Sequence, residues 1–196
     1  MLLLLALQRK FSTWNRSRKF VRLKFFIDKY HVQRVLVVGA GESKSLNPNE
    51  NLIEYKLQEL NLDLTFSGLD ISSSSLKPYV QANALELPFG DRSFDLVFSN
   101  AVIEHVGSEE SQKQFIKEHS RVGRYFAMTT PNRFFPIESH YLIFFRHMAR
   151  GWHTQDVTRL LSKPELRRLL PDDSLIMGSF FSPTFFGFGS VHERIW

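Results

Sequence analysis

The sequence predicts a three-layer α/β sandwich, and three observations predict it. Short β-branched or apolar runs end in glycine or an acid, stretches of helical periodicity lie between them, and two apolar runs close the chain as a strand pair. With 196 residues, 43% of them hydrophobic, the chain can bury one sizeable core and is too short for two ordinary catalytic domains.

The elements follow in order. Phe11 to Tyr30 carries Trp14, Phe20, Val21, Leu23, Ile27 and Tyr30 at roughly helical spacing between basic residues, which predicts a basic amphipathic helix. Arg34 to Val38 reads as a buried parallel strand. Asn51 to Leu60 has helical spacing, and Leu64 to Leu69 is a second strand stopped by Asp70. A weak strand at Tyr79 to Gln81 leads into the loop Asn83 to Arg92, and Phe94 to Ser99 is the fourth strand. Glu109 to His119 is a helix with Ser108 as its cap and two acids in its first turn, where they suit the helix dipole. Tyr125 to Thr130 is closed by Pro131; Lys163 to Leu170 is a helix opened by Ser162 and Pro164 and stopped by Pro171. Ser174 to Phe181 and Phe185 to Trp196 are the late strands, and burial in the sheet is the expected role of Phe180, Phe181, Phe185, Phe186 and Phe188.

Charge is unevenly placed. Residues 1–30 hold eight Lys/Arg against Asp28 alone, a net +7, which leaves −2 for the other 166 residues of a +5 chain. This separates a basic N-terminal arm, residues 1–30, from a slightly acidic domain, residues 31–196. The arm either packs on the domain edge with its charges in solvent, or lies on anionic lipid or helps close over an acidic substrate. The apolar run Leu2 to Leu7 is shorter than the ~7–15 residues of a signal-peptide core and the ~20 of a membrane span. A cytoplasmic protein, peripheral to a membrane at most, is expected. With no cysteine, disulfides, thiolate zinc, cysteine nucleophiles and iron–sulfur chemistry are excluded. The histidines show no ligand spacing with acids, and no metal is expected.

Ligands of open α/β sheets bind beyond the carboxyl ends of the strands. After the first strand, Gly39 and Gly41 let the backbone approach a ligand and offer N–H groups to an anion. Lys44 stands where a dinucleotide fingerprint needs its third glycine, which disfavours a nicotinamide enzyme. After the second strand, Asp70 is an acceptor placed for both hydroxyls of a ribose. Glycine loop and acid together indicate a nucleoside ligand.

Along its middle the chain resembles the class I S-adenosylmethionine-dependent methyltransferases, specifically the branch that includes the ubiquinone and menaquinone C-methylating enzymes. Val35-Leu36-Val37-Val38-Gly39-Ala40-Gly41 is similar to the first motif, Gly68-Leu69-Asp70-Ile71 to the second, and Asn83-Ala84-Leu85-Glu86-Leu87-Pro88-Phe89 to the adenine loop. Ser93 to Asn100 through Glu104-His105-Val106 resembles the fourth strand and its exit, and Thr129-Thr130-Pro131-Asn132-Arg133 the end of the fifth. The resemblance implies a Rossmann-like, mostly parallel seven-stranded sheet with an antiparallel last strand, and S-adenosylmethionine as cofactor. It implies that Gly39, Ala40 and Gly41 face the methionine part and Asp70 the ribose. Ile71 would take the adenine face, Asn83, Ala84 and Leu85 the adenine edge, and Asn100 and Ala101 the sulfonium end.

Methyl transfer is an in-line displacement on an already activated carbon, so alignment and desolvation supply much of the catalysis. Where the acceptor must lose a proton, His105 and His140 are the catalytic candidates. Glu104 is expected to be solvated or loop-ordering, and Asp95 structural. A small-molecule acceptor, lipid-linked or sugar-derived, is expected; nucleic acid is disfavoured because the basic residues are confined to the arm. The alternative is a non-catalytic module that keeps the fold for cofactor or partner binding.

Overall fold

The computed structural model describes residues 2–41, 51–69, 76–138, 143–149, 152–154 and 157–190, with side chains from residue 9 onward except at 137–138, 143–144 and 146. In chain order its elements are α1 (Leu2–Lys29), β1 (Arg34–Val38), α2 (Leu52–Gln58), β2 (Asp63–Gly68), β3 (Tyr79–Gln81), β4 (Phe94–Asn100), α3 (Glu109–Val122), β5 (Gly123–Pro131), the two-residue β6 (Ile137–Glu138) and β7 (Ile143–Phe144), α4 (Lys163–Leu169), β8 (Leu175–Met177) and β9 (Thr184–Ser190). Seven strands form one sheet in the order β3-β2-β1-β4-β5-β9-β8. Pairing is parallel from β3 to β5, and β9 runs antiparallel to both β5 and β8. This is the expected mostly parallel sheet with an antiparallel last strand.

Alternation along each strand splits the core into two layers. Val35, Val37, Phe66, Leu96, Phe98 and Phe186 face α1 and α2, meeting Leu23, Phe26, Ile53 and Leu57. Leu36, Val38, Val97, Phe126 and Met128 face α3 and α4, meeting Phe115, Ile116 and Leu166. The second half of α1 is therefore one layer of the sandwich: Phe26 stacks on Phe188 at 3.9 Å and on Phe186 at 5.8 Å between ring centroids.

The caps hold where sequence placed them. Ser108 accepts from the Ser111 N–H at 3.2 Å. Ser162 and Glu165 close a reciprocal capping box at the start of α4. The aromatic tail differs from expectation. Phe185, Phe186 and Phe188 are buried, but Phe180 and Phe181 are exposed, the latter by 80%. The sheet takes only Leu175–Met177 of the expected strand; Gly178 (φ +125°) turns the chain out of it, and the Ser179–Ser182 turn presents both rings at its tip.

His119, fully buried on α3, hydrogen-bonds through Nδ1 to the Phe115 carbonyl at 2.9 Å, and burial pulls its pKa down from 6.5 to about 4. The unfolded chain then binds one more proton between these values, so stability is full above pH 6.5 and is lost as pH falls toward 4. Acidification from pH 7 to 5 should cost about 2 kcal/mol through this residue. Thermal melts should show His119→Phe losing most of that acid sensitivity; an unchanged pH slope would refute the assignment.

Candidate cofactor and acceptor site

From β1 the chain goes to β2 and β3 on one side, then returns to β4 on the other, so a crevice opens at the carboxyl ends of β1 and β4. Gly39 follows β1 with φ +75°, and a Cβ there would come within 2.5 Å of Val102 Cγ2 beyond β4. Glycine is thus required both by the turn and by the close approach of the two strand exits. The Ala40 N–H donates to the Ser67 carbonyl at 2.9 Å, and the Ala40 carbonyl accepts from Tyr79 Oη at 2.7 Å. The loop is therefore pinned to β2 and β3 through both backbone groups of Ala40. At Gly41, a Cβ would meet nothing within 4 Å among the described residues. A loop fixed from behind, with no described residue against Gly41, suits the backbone contacts that the methionine part of S-adenosylmethionine would need.

Asp70 and Ile71, which follow β2, and His140 lie outside the described residues. Asn83, Ala84 and Leu85 follow β3. Asn83 Oδ1 accepts the Leu85 N–H at 3.0 Å, so this amide oxygen shapes its own turn. The loop is braced from α3: the Leu87 N–H donates to Glu118 Oε2 at 2.9 Å, and Arg121 reaches the carbonyls of Leu87 and Phe89 at 3.0 and 2.8 Å. Arg121 also grips Glu118 with two nitrogens, at 2.8 and 2.7 Å, and this paired guanidinium holds the Glu118 carboxyl below its ordinary pKa.

At the end of β4, Asn100 lies opposite Thr129 of β5. Its Oδ1 accepts from Thr129 Oγ1 at 2.7 Å and from Lys19 Nζ at 3.1 Å. Ala101 then takes φ +57°, a strained conformation for a residue with a Cβ, held by its N–H to the Thr129 carbonyl at 3.0 Å. The following 3-10 turn, Ile103–His105, carries Glu104 with its side chain fully buried, accepting from Thr130 Oγ1 at 3.3 Å. Its backbone carbonyl takes the N–H groups of Thr158 and Arg159. Glu104 therefore orders the loop, and it is not solvated. His105 stays partly exposed beside it, Nε2 to Oε1 at 3.9 Å. Asp95 sits at the opposite end of the sheet, where it accepts the N–H groups of Gln33 and Arg34 at 3.0 and 2.9 Å.

Lys19 is the residue that sequence reading missed. Only 7% exposed, it reaches from α1 to the end of β4. Burial first, then Arg16, pushes its ammonium down to about 8 against the opposing pull of Glu104 and Glu54. A signal existed: Lys19 precedes Leu23, Phe26 and Tyr30 at steps of four, three and four, the spacing of a core-facing stripe. Thr129 and Thr130 lie in the motif at the end of the fifth strand, and their side chains hold Asn100 and Glu104.

Residues 36–125 match the methyltransferase domain family. A protein of Encephalitozoon cuniculi that carries a provisional methyltransferase name is 34% identical over 117 residues, 58% of this chain and 51% of that protein. The chain thus spans about half the length of this relative. Among solved structures, an S-adenosylmethionine-dependent methyltransferase from Thermotoga maritima superposes with a TM-score of 0.63 at 14% identity, covering 95% of this chain and 92% of that one. One from Archaeoglobus fulgidus gives 0.61 at 13%, covering 89% and 94%. At these identities the structures establish the fold. Residues 36–125 are thus similar to the methyltransferase domain family, and the chain has the fold of the S-adenosylmethionine-dependent methyltransferases.

Proposed function

We propose that this protein transfers a methyl group from S-adenosylmethionine to a small-molecule acceptor, lipid-linked or sugar-derived. The observation that carries the reading is the crevice at the ends of β1 and β4, where a glycine loop pinned by Tyr79 and Ser67 approaches the β4 exit at Val102, just beyond an Asn100 side chain held by Lys19 and Thr129. The matched methyltransferase domain supports it.

The cofactor supplies a methyl carbon already activated for displacement. The chain's own residues then have to bind, align and keep water out. Gly39, Ala40 and Gly41 offer the methionine part a backbone with no side chain in the way, and Asp70 takes the ribose hydroxyls. Ile71 covers the adenine face, with Asn83, Ala84 and Leu85 along its edge. Asn100 and Ala101 define the sulfonium end. His105, partly exposed beside Glu104 after β4, receives a proton from an acceptor that must lose one, with His140 as the second candidate.

Calorimetry with S-adenosylmethionine and with its demethylated product tests the reading. Both should bind, and Asp70→Ala should weaken binding at least about tenfold, because two hydroxyl hydrogen bonds to a carboxylate are lost. No binding of either compound at high micromolar concentration would sink the proposal. Binding without turnover across a broad acceptor screen would favour the alternative of a non-catalytic cofactor-binding module.

A further inference from the structure

A helix that packs on a sheet normally shows one apolar stripe, to the core. Helix α1 shows two. Opposite the face of Leu23 and Phe26, the residues Phe11, Trp14, Arg18, Val21 and Phe25 follow one another at steps of three and four along about 21 Å of helix. Its four apolar members are exposed, Val21 by 66% and Phe25 by 58%. Scattered exposed apolar residues are ordinary, but a continuous stripe of them is not. Cations are set into it: the Arg18 guanidinium lies 4.7 Å from the Trp14 ring centroid and Lys29 Nζ 6.0 Å from that of Phe25. Arg9 and Lys10 are exposed beside it. The one acid of the helix, Asp28, is engaged by Lys24 at 2.6 Å.

The aromatic surface continues off the helix. Phe11 stacks on Phe135 at 6.1 Å, the neighbouring Phe134 stacks on Phe180 at 5.9 Å, and Phe180 meets the exposed Phe181. Phe134 and Phe135 follow the carboxyl end of β5, the end of the sheet at which Asn100 and Thr129 meet.

We infer that the outer face of α1, together with the Phe180-Phe181 turn, is a docking surface for an anionic lipid bilayer, with its aromatic side chains in the interface and its Arg and Lys on the headgroups. Charge selects this occupant. A second copy would bring one helix of net +7 against another, whereas anionic headgroups complement it. A nucleic acid could use the cations and rings but would leave Leu2 to Leu7 and the exposed Val21 without a partner, whereas a bilayer interface takes the aliphatic residues as well. No helix of the described residues is long and apolar enough to cross a membrane, so the contact is interfacial. The surface reaches the site end of the sheet; that this brings a lipid-linked acceptor to the crevice rests on the proposed methyl transfer, whereas the docking itself does not.

Co-sedimentation of the full chain with phosphatidylcholine vesicles, with and without about one third phosphatidylglycerol, tests the inference. The chain should bind the anionic vesicles, with a blue shift in tryptophan emission, and raising salt from ~0.05 to ~0.5 M should weaken binding several-fold. The double variant Trp14→Glu/Phe25→Glu should lose at least about tenfold in partitioning while keeping its melting temperature, since both side chains are exposed. Leu175→Glu, which changes an exposed apolar residue on β8, should bind as the unaltered chain does. Failure to bind anionic vesicles at low salt overturns the proposal, as does undiminished binding by the double variant. It also falls if the chain sediments as a dimer that the double variant dissolves, or if the stripe binds an oligonucleotide and no vesicle. None of these outcomes depends on S-adenosylmethionine, so they are separate from the fate of the methyltransferase reading.

Discussion

Gly68→Ala is expected to destabilise the protein by about 2–4 kcal/mol and to disable cofactor binding with it. Gly68 ends β2, and a Cβ there would lie 2.4 Å from Tyr79 Oη and 2.5 Å from the Ala40 carbonyl oxygen. Those two atoms are partners in one hydrogen bond, so no single rotamer change relieves the clash. Either the Tyr79 ring leaves, orphaning the Ala40 carbonyl, or the glycine loop lifts off β2 and breaks the Ala40 N–H bond to Ser67. In a chain of this size that amounts to a fall of roughly 5–10 °C in melting temperature. Gly41→Ala is the contrasting case: with nothing described within 4 Å of its Cβ, stability should stay within about 0.5 kcal/mol. If the Gly41 side of the loop receives the methionine part, Gly41→Ala should nevertheless weaken S-adenosylmethionine binding about tenfold or more. Calorimetry and melting of the two variants separate a loop that is merely structural from one that faces a ligand. Unchanged cofactor affinity in Gly41→Ala would remove the loop from the site.

The contrast between these glycines marks how far sequence reaches. Glycine at 39 and 41 was readable as a loop after a buried strand, because a fully buried parallel strand is a run of apolar residues with an abrupt end. The same rule gave β2 and β4 to within a residue or two, and the caps Ser108 and Ser162 were readable from local chemistry alone. Partners distant in sequence were not readable. That Gly68 is needed because Tyr79 and Ala40 meet over it depends on the lateral order β3-β2-β1, which no local pattern encodes. Asn83 is a local case: that its oxygen also accepts the Leu85 N–H, and so shapes the loop it stands in, follows from a turn whose geometry the motif does not spell out. Helix α1 defeated periodicity for a different reason: with apolar residues on both an inner and an outer face, its pattern reads as one broad amphipathic helix, and Lys19 is counted among the surface cations.

Lys19 should make the protein more stable at pH 9 than at pH 7. Its folded-state pKa of about 8 lies below the ordinary 10.5, so the unfolded chain holds the proton more tightly between these values. Stability therefore rises with pH across that window, by about 1 kcal/mol from pH 7 to 9. Lys19→Met, which fills the same space without a charge, should abolish the rise and be the more stable protein at pH 7 by about 1–3 kcal/mol, since the cost of burying an ammonium disappears. A residue kept at such a cost has its return in what it touches. Among the described residues Lys19 is one of two donors on Asn100 Oδ1, the other being Thr129 Oγ1, so its loss leaves that side chain less firmly held at the end of β4. Lys19→Met is accordingly expected to bind S-adenosylmethionine about tenfold more weakly even as its melting temperature rises, and Lys19→Arg to recover part of that affinity at constant pH. A lysine that served folding alone would move stability and affinity down together. Chemical denaturation at pH 7 and 9, run beside calorimetry on the three proteins, distinguishes the two. A flat pH dependence in the unaltered chain would show that Lys19 is not buried as described, and undiminished affinity in Lys19→Met would show that Asn100 needs no hold from α1.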